Sequence, residues 1–343
     1  MKKVIILSAF LSPFRSGAEA CAEEVPLALA EQFDFTIVTA RMRRDLPKKD
    51  HLQGRIPVRR IGLGLPIDKW LFPFLAPFAV AKLRPSVVHA VLETFAGLAL
   101  VFCRAQKKIL TCQTTNRSFL KGFIVRSPDV VTVISQSLAD TVKSLGRKDL
   151  TLIPNGINLK ALNTARDNNQ KIQGRVLFVG RLEMQKGVDV LLKAFAKLPP
   201  GAHLRIVGDG SKRCELVDLA TDLGITDRVE FVGSVSADQI ADEYAQAEIF
   251  CGLSRSEALG NVFLEAQAAG CAVIGTNVGG IPDTITDEKT GLLIDPDNAS
   301  DATIAIGKLL ADQNLRQTLS QAGSANAQNY GWDIIGSKYA KLY

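Results

Sequence analysis

The second half of the chain alternates short apolar runs with helical segments, and this alternation restricts the fold more than any other feature. Runs such as Val176–Val179 and His203–Val207 have the length of buried strands, and stretches with helical periodicity, such as Val188–Leu198, follow them. Strands that alternate with helices form parallel sheets, because each crossover helix covers a face of the sheet. The first half repeats the pattern less regularly. The sequence therefore predicts an α/β protein with two doubly wound parallel-sheet domains.

Length and composition agree with two globular domains. A chain of 343 residues, of which 47% are hydrophobic, is long enough to bury two cores. No uncharged apolar run reaches the length of a membrane-spanning helix. The apolar start Val4–Phe10 is short and lacks a cleavage site, so it is interpreted as a first strand and not as a signal peptide. The six cysteines form no C-x-x-C pair, which argues against zinc and is typical of the cytoplasm.

Charge is distributed unequally along the chain. Residues 1–158 hold 23 Lys or Arg and 12 acids, a net charge of +11, whereas residues 159–343 hold 18 and 23, a net charge of −5, which together give +6. The basic half is expected to meet an anionic partner. Nucleic acid is not expected, because no aromatic stacking motif or helix-turn-helix pattern accompanies the charge.

Two neighbouring segments of the basic half suggest peripheral attachment to the inner face of the cell membrane. Arg41–Arg60 carries eight basic residues against two acids, and Trp70–Phe78 is aromatic and apolar. This combination is typical of surfaces that bind anionic lipid, where each cation contributes about 1 kcal/mol. The alternative is a solvated loop followed by a helix of the core.

The segment Ser254–Ala266 has the features of an anion site. It follows an apolar run and leads into a helical pattern at Val262–Ala269. A helix that starts at the carboxyl end of parallel strands offers free N–H groups and its positive dipole end to a phosphate. Glu257 and Glu265 flank this loop, and acids beside a phosphate are explained if they accept hydrogen bonds from sugar and ribose hydroxyls. The alternative for the Glu pair is a helix with an acidic first turn.

Two cations lie in the loop after the predicted strand Val176–Val179. Arg181 and Lys186 are five residues apart, so both can reach one diphosphate. The loop is not a Walker A motif, because its glycines and its ending do not match. The G-x-G at Gly208–Gly210 lacks the third glycine of the dinucleotide fingerprint. An ATPase is therefore not favoured.

In order and spacing these segments resemble the E-x7-E signature of the GT-B glycosyltransferases, in the large family often called GT4. The similarity continues at Val179–Gly187, at Ala272–Pro282 and at Thr290–Leu293, and it covers roughly residues 174–295. The N-terminal half agrees in layout more than in motifs.

The resemblance implies the GT-B fold, with two Rossmann-like domains that face a deep cleft. Residues 1–157 would form the acceptor-binding domain and residues 158–330 the domain that binds the nucleotide sugar. The C-terminal helix, at about 331–343, would pack back on the first domain. The polar stretch Asn163–Gly174 is expected to continue the linker.

The resemblance also implies roles for individual residues. Arg181 and Lys186 would hold the donor diphosphate and neutralise it as it leaves, and Glu257 would contact the donor sugar. Glu265 would bind the ribose hydroxyls. The amides of Leu259, Gly260, Asn261 and Val262 would bind the distal phosphate, and Gly208, Val232 and Gly233 would lie near the base. Gly17 lies in the loop after the first strand, where a ligand phosphate or an acceptor is expected, and the alternative there is an ordinary turn between strand and helix.

His89 is the fourth candidate catalytic residue. It closes a short predicted strand, and a side chain at the carboxyl end of a parallel strand faces the cleft. It matches the first histidine of the H-x-H that the family often has, with Val91 at the second position. Where the family often has T-x-H, this chain has Gln113 in place of the histidine. The alternative is that His89 is structural.

The function implied is that of a retaining, metal-independent glycosyltransferase without a cofactor. It would move a sugar from a nucleotide-diphosphate donor to a lipid-linked or cell-envelope glycan. Two cations and a helix N-terminus at the leaving group would stabilise the developing charge. Val91 and Gln113 keep a second reading open, a nucleotide-sugar-binding subunit without turnover. A third is a sugar-nucleotide epimerase, for which His89 is the only strong acid/base candidate.

Overall fold

The computed structural model describes residues 1–14, 17–115 and 120–343. It divides into two compact units. Unit 1 comprises Met1–Gly156 together with Trp332–Tyr343, and unit 2 comprises Ile157–Gly331. The sequence-based boundary lies one residue away, between positions 157 and 158. Within the part of the chain that is described, no helix has both the length and the apolar character needed to cross a bilayer.

Unit 1 is built on one sheet, in which eight strands can be traced among its described residues. These strands are β1 (Lys3–Leu7), β2 (Asp34–Ala40), β3 (Lys49–Leu52), β4 (Ile56–Ile61), β5 (Val87–Val91), β6 (Lys107–Cys112), β7 (Val130–Val133) and β8 (Thr151–Leu152). Their order is β3-β4-β2-β1-β5-β6-β7-β8, and all neighbours are parallel except β3 and β4. The basic segment expected to be a loop therefore contains an antiparallel hairpin at the sheet edge.

The central strands of this sheet are covered on both faces. Every residue of β5 is buried, and β1 is buried from Val4 onward. Such strands need continuous apolar runs and not an alternating pattern. The helices of unit 1 up to residue 156 are α1 (Ala20–Ala28), α2 (Asp68–Leu83), α3 (Phe95–Phe102), α4 (Lys121–Arg126) and α5 (Gln136–Ser144).

Unit 2 contains a second, fully parallel sheet. Its strands are β9 (Ile172–Val179), β10 (His203–Val207), β11 (Val229–Gly233), β12 (Ala247–Gly252), β13 (Ala272–Thr276) and β14 (Leu292–Ile294). They lie in the order β11-β10-β9-β12-β13-β14. The strand order reverses between β9 and β12, so these neighbours send their following helices to opposite faces of the sheet. The predicted doubly wound parallel fold is confirmed in both units.

The helices of unit 2 cover both faces of its sheet. Ser236 accepts a hydrogen bond from the backbone N–H of Gln239 and forms the N-cap of the helix that follows. A short 3₁₀ helix, Met184–Lys186, follows β9. The α-helices are α6 (Leu159–Asn168), α7 (Val188–Phe195), α8 (Arg213–Asp222), α9 (Ala237–Gln246), α10 (Asn261–Ala268), α11 (Ala299–Ala311) and α12 (Gln313–Ala327).

The prediction of a linker at Asn163–Gly174 is wrong, because most of this stretch lies in α6 and β9. The side chain of Asn158 caps α6 by accepting the backbone N–H of Ala161. Leu162 and Ala165 are buried in the core of unit 2. A cap and one apolar contact per turn are enough to fix a helix that is otherwise polar.

After unit 2 the chain returns to unit 1 as α13 (Trp332–Ala340), which packs against α1. Ile335, Tyr339 and Tyr343 belong to the same core cluster as β1 and β2. Gly156 adjoins this helix closely, since a Cβ there would lie 2.5 Å from the ring of Trp332. The last residues of the sequence are therefore part of the core of unit 1.

Candidate functional site

The loops that follow β9 and β12 lie side by side in unit 2. The two strands are neighbours at the point where the strand order reverses. In open parallel sheets this is where a crevice forms outside the carboxyl ends of the strands and where ligands bind. The loop after β9 carries Arg181 and Lys186, and the loop after β12 carries Glu257. Topology alone thus brings the sequence-predicted residues to one edge of the sheet.

Lys186 and Glu257 form a salt bridge within this crevice. The ammonium group of Lys186 donates to one carboxylate oxygen of Glu257, and each side chain is only 17% exposed. The other carboxylate oxygen of Glu257 accepts the backbone N–H of Ala258 at 3.2 Å. Lys186, which the sequence assigned to the phosphates, and Glu257, which it assigned to the sugar, are therefore half-buried and paired with each other.

Two glycines allow the backbone of the Glu257 loop to approach its neighbours. A Cβ at Gly187, which has a φ of +66°, would lie 1.9 Å from the carbonyl oxygen of Leu253. A Cβ at Gly279, with a φ of +56°, would lie 2.0 Å from the carbonyl oxygen of Glu257. Real Cβ atoms do not come so close to backbone oxygens. The loop is therefore held from both sides by positions that only glycine can occupy without displacement.

Arg255 ties the two loops together, and the sequence reasoning gave it no role. Its guanidinium donates two hydrogen bonds of 2.9 Å to Asp189 and one of 2.7 Å to Asp297. It also donates to the backbone carbonyl of Met184, and its own N–H donates to the carbonyl of Gln185 at 2.7 Å. Arg255 is therefore fixed to the 3₁₀ turn that carries Lys186. The sequence feature that could have identified it is an arginine in a loop whose other residues, apart from Glu257, are small or apolar.

The charge of Arg255 also changes the acidity of its partner. Partial burial alone would raise the pKa of Asp189, but the hydrogen bonds and positive charge of Arg255 outweigh it, so the pKa of Asp189 lies below its usual range. The hydrogen bond with Asp189 in turn raises the pKa of Arg255. Each partner therefore favours the charged form of the other.

Helix α10 starts at the end of the Glu257 loop. Gly260 is its N-cap residue with a φ of +91°, and the preceding Leu259 is 2% exposed. The first amides of the helix, those of Asn261 and Val262, have no intrahelical partner because of their position. They and the helix dipole can receive an anion at the same sheet edge as Lys186.

Glu265 lies one turn inside α10 and is positioned by a tyrosine. The hydroxyl of Tyr244 donates a 2.9 Å hydrogen bond to the carboxylate of Glu265. Complete burial, and then the charge of Glu265, raise the pKa of Tyr244 well above its usual value. Tyr244 therefore stays protonated and remains a donor. Sequence reasoning did not identify Tyr244, which stands in α9 and is distant in sequence.

The positions expected near the base, Gly208, Val232 and Gly233, lie at the carboxyl ends of β10 and β11. The N–H of Gly208 donates to the carbonyl of Gly233 at 2.8 Å, which joins the ends of β10 and β11. A Cβ at Gly208 would lie 1.9 Å from the carbonyl oxygen of Gly180, at the end of β9. Val232 and Gly233 are partly exposed. The carboxyl ends of three adjacent strands thus converge closely here.

Among the described residues, Arg181 makes no polar side-chain contact, and Gly17 is under no packing constraint. Arg181 is exposed, and its guanidinium makes no hydrogen bond or salt bridge with any residue that the structure describes. Gly17 belongs to unit 1, is exposed, and a Cβ there would have no neighbour within 4 Å. Its neighbour Ser16 lies outside the described residues. No feature of Gly17 requires a glycine, so its assignment stays a prediction.

The prediction that His89 is a catalytic residue at the cleft is wrong. His89 is the third residue of β5 and is completely buried. Its Nδ1 is 2.8 Å from the hydroxyl of Tyr343, its Nε2 is 2.7 Å from the hydroxyl of Thr111, and its ring packs against Tyr339. Burial lowers the pKa of His89 to about 3. The ring is neutral and enclosed, so the structural alternative is the correct one.

Other polar side chains stand at the carboxyl ends of β5 and β6. Glu93 accepts the backbone N–H groups of Gln113 at 2.9 Å and of Thr114 at 3.1 Å, and it pairs with Lys121 at 2.8 Å. The amide of Gln113 exchanges two hydrogen bonds with that of Asn155. Where the family often has a histidine, this chain thus uses Gln113 in a buried amide pair.

The acidic side chains of the described residues form no metal-binding cluster. No group of three or more His, Cys, Asp or Glu residues has the geometry of a metal site there. One Asp-x-Asp sequence occurs, Asp295-Pro296-Asp297. The carboxylate of Asp297 accepts a hydrogen bond from Arg255. Asp297 is therefore already paired with a cation of the protein.

Two family models match the chain. The model described as Glycosyltransferase Family 4 matches residues 15–161, and the model described as Glycosyl transferases group 1 matches residues 163–326. The second match contains the whole Lys186–Glu257 crevice.

Curated relatives show the same similarity. The lipopolysaccharide core biosynthesis glycosyltransferase LpsE of Rhizobium meliloti is 33% identical over 313 residues, which is 90% of this chain and 89% of that protein. The D-inositol 3-phosphate glycosyltransferase of Mycobacteroides abscessus is 33% identical over 235 residues, 64% of this chain and 52% of that protein. The first curated relatives are longer, since the chain matches between 42% and 59% of their length.

The fold recurs in solved structures. The sucrose-phosphate synthase of Thermosynechococcus elongatus superposes with a TM-score of 0.88, covering 100% of this chain and 98% of that chain at 23% identity. The shared fold extends over both units.

Proposed function

Because the chain belongs to the GT4-like glycosyltransferases of the GT-B fold, we propose that it moves a sugar from a nucleotide-diphosphate donor to a glycan acceptor, with retention of configuration and without a metal ion. The observation that carries this proposal is the half-buried pair of Lys186 and Glu257 beside the N-terminus of α10. It combines a cation, an acceptor for hydroxyl groups and free backbone amides at one sheet edge.

The donor would occupy the crevice with its diphosphate at Lys186 and Arg181. As the bond to the sugar breaks, negative charge develops on the leaving oxygen, and the two cations and the amides of Asn261 and Val262 stabilise it without reorganisation. Glu257 accepts hydrogen bonds from the sugar hydroxyls. Glu265, oriented by Tyr244, accepts those of the ribose. The base would lie against the joined strand ends at Gly208 and Gly233.

A metal ion has no task in this arrangement. Divalent cations assist phosphoryl and glycosyl leaving groups by neutralising charge, and here Lys186, Arg181 and the helix dipole supply positive charge. Retention follows if the acceptor loses its proton on the side from which the diphosphate departs. The burial of His89 supports this geometry, because the candidate base named by the sequence cannot reach an acceptor.

The acceptor is proposed to be a lipid-linked or cell-envelope glycan. The names of two relatives support this, one acting in lipopolysaccharide core biosynthesis and one on an inositol phosphate. Both names denote acceptors or products that carry phosphate or belong to a membrane, and the net charge of +11 in residues 1–158 suits such a partner.

The donor half is tested by thermal shift with UDP-, GDP-, ADP- and dTDP-sugars in the presence of EDTA. A ligand at about 100 times its Kd stabilises the fold by roughly 2.7 kcal/mol, so one nucleotide class should raise the melting temperature without metal. No shift from any donor, with the protein folded, would contradict the proposal. The reaction is then tested by NMR of the product formed with candidate acceptors, and an inverted anomeric centre would refute retention.

The binding-subunit alternative makes a different prediction in the same experiments. A subunit without turnover would bind one nucleotide sugar but release none of its sugar, even with lipid-linked acceptors and after long incubation. An epimerase would convert the donor sugar itself in the absence of acceptor. Such an epimerase would have to use acid/base groups other than His89, which is enclosed by Tyr343 and Thr111.

A further inference from the structure

Helix α2 in unit 1 is apolar on two opposite faces. Its inner residues Phe72, Ala76 and Val80 are completely buried. Its outer face carries a stripe at four-residue spacing whose members are 61%, 61% and 71% exposed, and we call it the aromatic stripe: Trp70, Phe74 and Phe78. A helix on the surface of a globular protein normally has polar residues on its outer side, and one that is apolar all round is normally covered by a second apolar medium.

The segment around this helix exposes only one sign of charge. Residues 51–128 contain twelve Lys or Arg and two acids, Asp68 and Glu93. Both acids are buried, with 1% and 3% exposure. Asp68 accepts three backbone N–H groups of the loop before α2, and Glu93 pairs with Lys121. No acid of this segment therefore offsets its cations at the surface.

Exposed cations lie at one end of the aromatic stripe. Lys82 continues the stripe in the last turn of α2, Arg84 follows the helix, and Arg104 follows α3, which packs beside α2. The two helices lead into β5 and β6, which are neighbours with Val87 opposite Lys107. Both helices therefore end at the same edge of the sheet, where Lys82, Arg84 and Arg104 are all exposed.

The basic segment expected to join this surface is partly engaged elsewhere. Three of the eight cations of Arg41–Arg60 bind carbonyl or carboxylate groups of unit 1 itself, namely Arg41, Arg43 and Arg60. The basic and aromatic surface is therefore centred on the outer side of α2 and the adjoining end of α3, and not on residues 41–60.

We propose that the aromatic stripe, with Lys82, Arg84 and Arg104, docks on an anionic lipid bilayer. Aromatic side chains enter the boundary between headgroups and acyl chains, while the cations meet the lipid phosphates. A second copy of the chain fits this surface less well, because a two-fold interface places the same patch on itself, and the patch has cations but no exposed acid to pair with them. The docking does not require sugar transfer, so it can fail or hold independently of the proposed function.

The test is co-sedimentation of the full chain with vesicles of phosphatidylcholine, with and without phosphatidylglycerol. Binding is expected only when phosphatidylglycerol is present and should weaken as salt increases. Phe74→Ser combined with Phe78→Ser should lower the partition coefficient by about tenfold or more, since both rings leave the interface. Lys82→Glu and Arg104→Glu should each lower it by about fivefold or more.

Matched controls are available on α13, which packs against α1 and not against α2 or α3. Ile334 is 38% exposed and Lys338 is exposed, so Ile334→Ser and Lys338→Glu repeat the same chemical changes away from the stripe. They should bind vesicles as the unchanged protein does. The thermal shift given by the nucleotide sugar should be the same in all variants, which shows that the fold is intact.

Three results would overturn the proposal. The first is absence of binding to both kinds of vesicle, and the second is equal binding to neutral and anionic vesicles. The third is a dimer in analytical ultracentrifugation that dissociates in the Phe74→Ser, Phe78→Ser variant, which would assign the stripe to self-association.

Discussion

Lys186 and Glu257 are 71 positions apart in sequence and form a salt bridge at the point where the strand order of unit 2 reverses. The acid therefore neutralises the cation of the same site. A diphosphate that binds Lys186 must compete with the Glu257 carboxylate. A sugar attached to that diphosphate offers hydroxyl groups to Glu257 at the same time, so an intact donor compensates for the broken pair and a bare nucleoside diphosphate does not.

Substitution of the two partners should therefore change nucleoside diphosphate binding in opposite directions. Lys186→Ala should weaken binding of the diphosphate, whereas Glu257→Ala should strengthen it by about tenfold, equivalent to 1.4 kcal/mol, because the cation is released. Calorimetry with the nucleotide found by thermal shift measures both. Lys197→Ala, at an exposed lysine that follows α7, is the control. Weaker binding in the Glu257 variant would contradict this competition.

Both variants should nevertheless lose transfer activity. Removing one stabilising group at a leaving oxygen typically lowers the rate by about 10² to 10³, and Lys186→Ala should fall in that range. Glu257→Ala should lower kcat/KM for the intact donor although it binds the bare diphosphate more tightly. Steady-state kinetics with the identified donor measure this. Full activity in Glu257→Ala would exclude the proposed contact with the sugar.

Gly187→Ala should disrupt the donor crevice, because the new Cβ would meet the carbonyl oxygen of Leu253 at 1.9 Å. Gly224→Ala is the matched control, since Gly224 has the same φ of +66° and a Cβ there would meet nothing within 4 Å. Both substitutions carry the strain of a left-handed alanine, of order 1 kcal/mol. Only Gly187→Ala should abolish the thermal shift with the donor. An equal loss in both variants would show that backbone strain, and not the close approach, is responsible.

Arg255→Lys should loosen the support of the Lys186 loop without removing a charge. A lysine cannot reproduce the paired hydrogen bonds to Asp189 together with those to Asp297 and Met184. The free energy of unfolding should fall by about 1–3 kcal/mol, and KM for the donor should rise more than kcat falls. Asp297→Ala should cost less than about 1 kcal/mol, since that side chain is 59% exposed. Chemical denaturation and kinetics measure both quantities.

His89 should make the stability of the protein fall in acid. Its pKa is lowered to about 3 by burial, while in the unfolded chain it is about 6.5, so the unfolded state binds the proton first. The contribution is complete above about pH 6.5 and is lost towards pH 3, at up to about 1.4 kcal/mol per pH unit. Denaturation at several pH values should show a flatter profile for His89→Gln.

The same group can be followed without a substitution. In the unchanged protein, the ring resonances of His89 should stay constant between pH 5 and pH 8 in an NMR titration, with the exposed His51 and His203 as reference signals. A His89 resonance that moves in this range would show that the ring is accessible to protons and would restore it as a candidate base.

The sequence predicted the donor crevice because its elements are local. A strand, its following loop and the next helix are adjacent in the chain, and the rule for parallel sheets then places Lys186 and Glu257 at one edge. The strand order, with its reversal between β9 and β12, was not predicted, because the alternation of apolar runs is compatible with more than one order. The similarity to a known family assigned the roles of these residues, and all of these roles remain predictions.

The sequence pattern gave the wrong result where residues distant in the chain determine the environment of a side chain. Whether His89 faces solvent or core depends on Tyr339 and Tyr343, which return from the far end of the chain and enclose it. A sequence pattern locates the end of a strand only to within a few residues. His89 is the third residue of β5 and not the residue after the strand, and this difference decides whether its ring is buried. Arg255 was missed for a related reason, because its partners are distant in sequence: Asp189 lies in the first turn of α7 and Asp297 in the loop after β14.

The return of α13 to unit 1 has a consequence for the order in which the protein forms during synthesis. Residues 157–331 are one continuous stretch of chain, and the ends of this stretch are joined by the bridge between Ile157 and Gly331. Unit 1, by contrast, lacks Ile335, Tyr339 and Tyr343 of its core until the ribosome has translated all of unit 2. Domains usually fold as units from the N-terminus onward, but here the later unit can be complete while the earlier one still waits for its final side chains.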